Sequence, residues 1–358
     1  MPTVGADTQP VAGKIAGDVF EAVMLPRMGM SRPDVLVGPR TGIDAAILST
    51  GPGQVMAVTC DPLFVMPEYG WRRAAWFAVN IVASDLATTG LPPTFCALDL
   101  NLPLDMSDAD LSCLWDGIHV ACEEMGVAVV TGHTGRYEGC AFPMLGGCTM
   151  MGPGSAEVYV TPAMAGPGDA LVVTKGPAIE TAAQLAVLFE DRVTGALGPA
   201  RSSAAGRLFE KMSVVQDAAV AVGAVGTRGS GITSMHDATE RGLWGALVEV
   251  AGAASAGLLV DKERIPLLPE VAAICDLFEI DPYAASSEGT LVLTCGESSV
   301  EPLLRAFRSA GIPAARIGML TEPDAGVRVA TNGCEAPLVM PAVDPFWPAL
   351  LAERRRRL

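Results

Sequence analysis

A chain of 358 residues is long enough for two domains, and with half of its residues apolar and only 18% charged it must bury a large core. Its 40 acidic residues outnumber 24 basic ones, and the net charge of −16 argues against a nucleic-acid surface. No apolar run approaches membrane-spanning length and MPTVGADTQP at the start lacks a signal-peptide pattern, so a soluble cytoplasmic protein with no membrane partner is expected.

In chain order, DAAILST and QVMAVTC predict two strands joined by the turn GPG at 51–53. A helix follows from about Trp71 to Ala87, stopped by Gly90 with Pro92 and Pro93 behind it; its middle is apolar nearly all round and should be buried on more than one side. TFCALDLNLP is a strand. SDADLSCLWDGIHVACEEMG has a capping box from Ser107 to Asp110, a stop at Gly126, and an apolar stripe of Leu111, Leu114, Ile118, Cys122 and Met125. His119 beside that stripe reads as a packing or surface residue. The run Val127–Val130 suits a buried strand, and Thr131-Gly132 and Thr134-Gly135 bracket His133 in a tight turn at its end. A ligand, a phosphate contact and a plain turn residue are all open readings for that histidine.

The stretch 150–169, with three Gly-Pro or Pro-Gly breaks around one short strand, marks a boundary. It separates an N-terminal domain, 1–155, from a C-terminal one, 165–340, with a tail over 341–358. Beyond it, ALVVTKG is a strand ahead of a helix-rich region, and ITSMHDATERGLWGALVEVAGAA reads as strand, polar turn, and helix from about Thr239. TLVLTC, ARIGML and VRVAT are strands, with the helix SVEPLLRAFRSAG between the first two. The arginines of ERRRRL suit a solvated helix end. The nine cysteines form no C-x-x-C pair and sit in apolar contexts, as reduced core cysteines of a reducing compartment do.

The chain has no Walker A loop, no H-E-x-x-H, no G-x-S-x-G and no G-x-G-x-x-G between a strand and a helix. It offers instead Asp44, Asp61 and Asp85 at the ends of elements. Hard cations such as Mg²⁺ take carboxylate oxygens and share them with substrate phosphates. Asp85 is the most informative, because a carboxylate in an otherwise apolar helix is costly unless paired or metal-bound. In the second half, His236, Asp237 and Glu240 fall at a helix start, where backbone N–H groups favour anions; a simple helix cap is the alternative.

The motifs GIDAAIL, VTCDP, SDLATTG, VVTGHTG, TKGPAIETAAQLA, HDATERGLWGAL and DPYAASSEGTLVL occur in the order seen in the aminoimidazole ribonucleotide synthetase (PurM-like) superfamily, which the chain resembles over nearly its whole length. That superfamily includes thiamine-monophosphate kinase, selenophosphate synthetase and the hydrogenase maturation protein HypE, and the second half looks most like HypE. The resemblance implies an α/β N-terminal domain that dimerises into a shared β-barrel and a C-terminal α+β domain packed against it. It implies ATP held without a P-loop between the domains, with Asp44, Asp61 and Asp85 as Mg²⁺ ligands and Lys14, in GKIAGDVF, reaching the phosphates. Thr134, Lys175, His236, Asp237 and Glu240 complete the implied nucleotide contacts.

Departures accompany the matches. Where the superfamily often has two adjacent acids this chain has Ile43-Asp44, and where many members have Asn-Asp it has Ser84-Asp85. His133 stands where most members place an acid. An imidazole is a poor Mg²⁺ ligand, so His133 could contact a phosphate, bind a softer metal or act as general base, with Arg136 stabilising phosphoryl charge. HypE ends in a cysteine that carries its carbamoyl group, whereas 24 residues follow Cys334, the last cysteine here. The expected activity is therefore ATP-dependent phosphorylation of an oxygen, in a carboxamide or related group, of a separate small molecule by a homodimer, followed by dehydration or nucleophile capture. A small-molecule kinase of the thiamine-monophosphate kinase type and a non-catalytic assembly protein are the alternatives.

Overall fold

Alternating apolar residues build the first of two sheets in the computed structural model, which describes residues 13–15 and 17–357; the N-terminal stretch read for a signal pattern lies outside them. A helical turn, α1 (Gly17–Val19), precedes β1 (Val35–Val37), β2 (Ala46–Gly51) and β3 (Gln54–Phe64). These are followed by α2 (Trp71–Ala87), β4 (Phe95–Leu102), α3 (Asp108–Met125), β5 (Ala128–Arg136) and β6 (Met144–Ser155). The strand order is β1-β2-β3-β6-β4-β5. Cys96, Leu98, Leu100 and Leu102 of β4 and Val55 and Ala57 of β3 turn into the core, in the two-residue period of a half-buried sheet. α2 and α3 pack on one another, and Gly117 is where they approach closest, since a Cβ there would lie 2.6 Å from that of Ala75. As its sequence predicts, α2 is buried nearly all round, and Ser107 caps α3 by accepting the Asp110 N–H at 3.0 Å.

The second sheet contains β7 (Ala170–Thr174), β8 (Ile232–Ala238), β9 (Gly257–Asp261), β10 (Thr290–Cys295), β11 (Ala314–Thr321), β12 (Val327–Thr331) and β13 (Cys334–Pro337). Its order is β13-β12-β9-β11-β7-β10-β8. The helices of this half are α4 (Ile179–Leu188), α5 (Glu190–Leu197), α6 (Pro199–Gly206), α7 (Val215–Val225), α8 (Gly242–Ala254), α9 (Pro269–Phe278), α10 (Val300–Ser309) and α11 (Phe346–Arg357). β7 and β10 are buried on both faces, and their continuous apolar runs follow from that. Leu171, Val173 and Val292 pack with α8, while Val172, Leu291 and Leu293 share a cluster with residues of α7 and α10. A third cluster joins the two halves, with Ile179, Leu185 and Phe209 packed among Tyr69, Phe77 and Val82.

Several expectations change. His133 is not in a turn: β5 continues through it to Arg136, because its backbone stays in a parallel ladder with β4, His133 opposite Asp99. His236 and Asp237 likewise belong to β8, paired with Val292 and Leu291, and the helix begins at Gly242 rather than Thr239, so neither residue caps it. The short strand expected within 150–169 is absent. β6 instead runs through Pro153, where β3 is its one ladder partner and the missing N–H costs nothing on the free side. β1, β6, β9 and β13 were not read from the sequence. Within this one chain the first sheet is open, with β1 and β5 as its edge strands. All nine cysteines are free, although Cys60, Cys113 and Cys334 are exposed rather than core residues. Among the described residues no helix is long and apolar enough to cross a membrane.

Candidate functional site

The two sheets meet where the end of α2 reaches β8 and α7. Ser84 Oγ accepts the Val214 N–H at 3.0 Å and so ties the last turn of α2 to the second half. Its neighbour Asp85 is thereby held at the seam, 6% exposed, accepting from Thr59 Oγ1 at 3.2 Å. The same hydroxyl is 3.0 Å from the Asp44 carbonyl oxygen, so a single threonine of β3 spaces two of the three expected acids. The third, Asp61, lies two residues further along β3, where burial raises its pKa against the opposing pull of Lys14. Asp44 reaches the seam because Gly42, at φ +75°, lets the chain pass close against α8; a Cβ there would be 2.9 Å from the Glu249 carbonyl oxygen.

From the other half come His236, Asp237, Glu288 and Glu180. His236 is buried between two carboxylates, its Nε2 3.0 Å from Glu249 and its Nδ1 2.9 Å from Asp44. Burial alone would lower its pKa, but Asp44 and Glu249 raise it to about 10. Burial likewise works to raise Asp44, yet His236 and Lys14 outweigh it and hold that carboxyl below the usual carboxylate range. The remaining acids have too little positive charge near them. Burial and then Asp237, Asp61, Asp44 and Glu288 push Asp85 well above its ordinary value. Burial and Asp44 raise Asp237 to about 7 despite His236 and Lys14. Burial, Asp237 and Glu180 raise Glu288, and Glu180 itself, mainly through burial, rises to about 8.

Lys14 is the cation of this cluster. Its Nζ donates to Thr239 Oγ1 at 3.2 Å, and its own N–H donates to Glu240 at 2.9 Å. Lys14 is exposed, and although partial desolvation opposes its charge, Asp44, Glu249, Asp85 and Asp61 more than compensate and raise its pKa. Both oxygens of Asp237 are buried without a hydrogen-bond partner, and so is one oxygen of Glu288. Buried carboxylate oxygens left in this way are what a bound cation would satisfy. A set of oxygen donors around a lysine therefore fits a metal–polyphosphate ligand.

Of the residues expected from the sequence, the structure brings together Lys14, Asp44, Asp61, Asp85, His236, Asp237 and Glu240. It does not bring in four others. Lys175 is buried in the second half, donating to Asp217 at 2.9 Å and to the Ser213 carbonyl at 2.8 Å, so its charge is already matched. His133, Thr134 and Arg136 lie on β5, which is separated from β3 by β6 and β4, about 14 Å at the usual strand spacing. His133 Nε2 is 2.6 Å from the Tyr137 hydroxyl, and Arg136 bonds Asp108 at 2.7 Å and the Met106 carbonyl at 3.1 Å. Sequence reasoning missed Thr59, Glu180, Glu249 and Glu288. Glu180 and Glu249 could have been found by the logic that singled out Asp85, since each is an acid within an apolar helical run.

Family models agree with this architecture. Residues 42–153 match the N-terminal domain of AIR synthase related protein, and residues 166–330 match its C-terminal domain. The chain belongs to this family. Among its relatives, carbamoyl dehydratase HypE of Rhizobium leguminosarum bv. viciae is 28% identical over 297 residues, 80% of this chain and 79% of its own length. HypE in a HypE–HypF complex superposes with a TM-score of 0.72 at 19% identity, over 91% of this chain and 100% of that one. HypE in complex with ATP superposes with a TM-score of 0.66 at 23% identity, over 94% and 97%. At these identities the two structures establish the shared PurM-like, two-domain fold.

Proposed function

We propose that this protein is an ATP-dependent enzyme that phosphorylates an oxygen of a small molecule, a carboxamide or related group, after which the activated species is dehydrated or captured by a nucleophile. The observation that carries the reading is the convergence of Asp44, Asp61 and Asp85 from the first half with Asp237 and Glu288 from the second, around the single ammonium of Lys14. So dense a set of acids, with Asp85, Asp237 and Glu288 buried, is costly unless a polyvalent cation occupies it. Carbamoyl dehydratase HypE among the relatives, and HypE with ATP among the solved structures, support ATP as the phosphoryl donor.

In this reading Asp44, Asp61 and Asp85 hold Mg²⁺. When bound there, Mg²⁺ would offset the negative charge of the polyphosphate and of the transferred group. Lys14 donates its ammonium hydrogens to phosphate oxygens in addition to Thr239. Glu240 holds the backbone of Lys14, and Thr239 positions its ammonium. Burial of Asp85, Asp237 and Glu288 keeps water from those carboxylates, which strengthens their contacts. His133, Thr134 and Arg136 enter the reaction only if a second copy of the chain brings them to the cluster. A homodimer pairing along β5 is therefore part of the proposal, supported by the exposed Val129 and Val130 on that edge strand. The free cysteines suit a reducing, cytoplasmic setting.

The test is a calorimetric titration of ATP, with and without Mg²⁺, into the wild type and Asp85→Asn. Magnesium-dependent binding that Asp85→Asn lacks is the expected result. Absence of binding to either protein overturns the reading in favour of an assembly protein on the same fold.

A further inference from the structure

We propose that Asp44, His236 and Asp237 form a second type of cation site in this cleft, one that uses the His236 imidazole nitrogen and prefers a transition-metal dication such as Zn²⁺ or Co²⁺ to Mg²⁺. The inference deepens the reading of the cleft as a metal–nucleotide site and rests on that reading only for what the cation would serve. One ligand atom from each of the three residues lies within 4.8 Å of the others. They come from different parts of the chain: Asp44 from the loop before β2, His236 and Asp237 from β8.

Two observations beyond the acids' proximity point to a ligand. Asp237 is 0% exposed, and neither of its oxygens has a hydrogen-bond partner. His236 is 2% exposed, and its Nδ1, though 2.9 Å from Asp44, lacks the alignment of a hydrogen bond. That separation is the one two adjacent ligands take around a cation: at a metal–ligand distance of about 2.1 Å, neighbours in an octahedron are ~3.0 Å apart, and somewhat further in a tetrahedron. The other ring nitrogen is already placed. Nε2 faces Glu249 at 3.0 Å, the carboxylate–histidine arrangement that fixes the tautomer and aims Nδ1 at a metal.

The nitrogen decides the metal class. Magnesium takes oxygen donors and dehydrates reluctantly, whereas imidazole suits Zn²⁺, Co²⁺ and Ni²⁺. As the metal–nitrogen bond forms, the Nδ1 proton leaves to solvent while the Nε2 proton stays with Glu249. Two carboxylates and one imidazole leave coordination positions open, as in sites where a metal also binds water or substrate oxygen. Asp61 and Asp85, with the other oxygen of Asp44, remain for a cation of the harder kind.

The experiment uses full-length, tag-free protein stripped with chelator and titrated with Co²⁺ in excess Mg²⁺ without nucleotide, followed by calorimetry and by the visible absorption of Co²⁺. The expected result is one Co²⁺ per chain that Mg²⁺ does not displace, weakened ~100-fold in His236→Gln and 10–100-fold in Glu249→Gln. Should His236→Gln fail to fold, pulsed EPR of the wild type with Cu²⁺, which imidazole also suits, reports nitrogen coupling directly. Co²⁺ binding that Mg²⁺ displaces equally, or that both variants leave unchanged, overturns the inference, as does Cu²⁺ bound without nitrogen coupling. Magnesium-dependent ATP binding alongside such a result would leave the phosphoryl-transfer reading standing. Histidine-dependent Co²⁺ binding without ATP binding would do the reverse.

Discussion

Replacing Asp237 by asparagine should stabilise the metal-free protein at alkaline pH. The carboxyl is fully buried without a hydrogen-bond partner, and burial together with Asp44 raises its pKa from the ordinary 3.8 to about 7. Between these two values the folded state holds a proton that the unfolded state has released. The stability that this proton represents is complete below 3.8 and is lost as pH rises through 7. A rise of this size is worth roughly 4 kcal/mol, of which on the order of 3 kcal/mol disappears between about pH 5 and 8. His236 acts with the same sign at higher pH, since its value is raised from 6.5 to about 10 and its contribution is lost across that interval. The amide of Asp237→Asn cannot ionise, so the variant should lose less stability than the wild type over the same pH range. Urea unfolding of chelator-treated protein at pH 5 and pH 8, followed by tryptophan fluorescence, measures the difference. If Asp237→Asn shows the same pH dependence as the wild type, or is less stable than it at pH 8, the acid is not the buried, unmatched charge that the geometry describes.

Other substitutions separate structural from ligand roles. Lys175→Met leaves Asp217 buried without its cation and should cost about 3–5 kcal/mol in urea unfolding, while ATP binding by the folded protein stays intact; weakened binding at unchanged stability would make Lys175 a ligand contact. Gly42→Ala forces a left-handed residue, costing about 1–2 kcal/mol, and drives a methyl group towards the Glu249 carbonyl. It should therefore reduce both the urea midpoint and the affinity for ATP, and a change in neither would mean that the loop tolerates displacement. Val130→Glu places a charge on the exposed edge strand β5 and should convert a homodimer to monomer in light scattering; an unchanged mass would put the dimer contact elsewhere.

How far the sequence revealed the fold and the site depended on whether a signal was local. The helix Trp71–Ala87 was legible to the residue because its apolar run ends in Gly90 and two prolines, and Asp85 was legible as a costly acid within that run. The strand β13, with every residue exposed, has no burial period to read. The two histidines failed for one shared reason. Flanking glycines and polar residues suggested turns, but a ladder partner distant in sequence, β4 for His133 and β10 for His236, keeps each in a strand. Lys175 shows the complementary limit: a lysine after a strand suits a phosphate contact equally well until Asp217, 42 residues on, is seen to take its charge. The site itself is a sum of such distant meetings. Asp44 and His236 are almost two hundred residues apart, and the cost of one without the other is what the composition of neither segment expresses. An acid standing alone in an apolar helix, as Asp85, Glu180 and Glu249 do, signals that a partner exists. The identity of that partner is set by sheet order and by the packing of one half on the other.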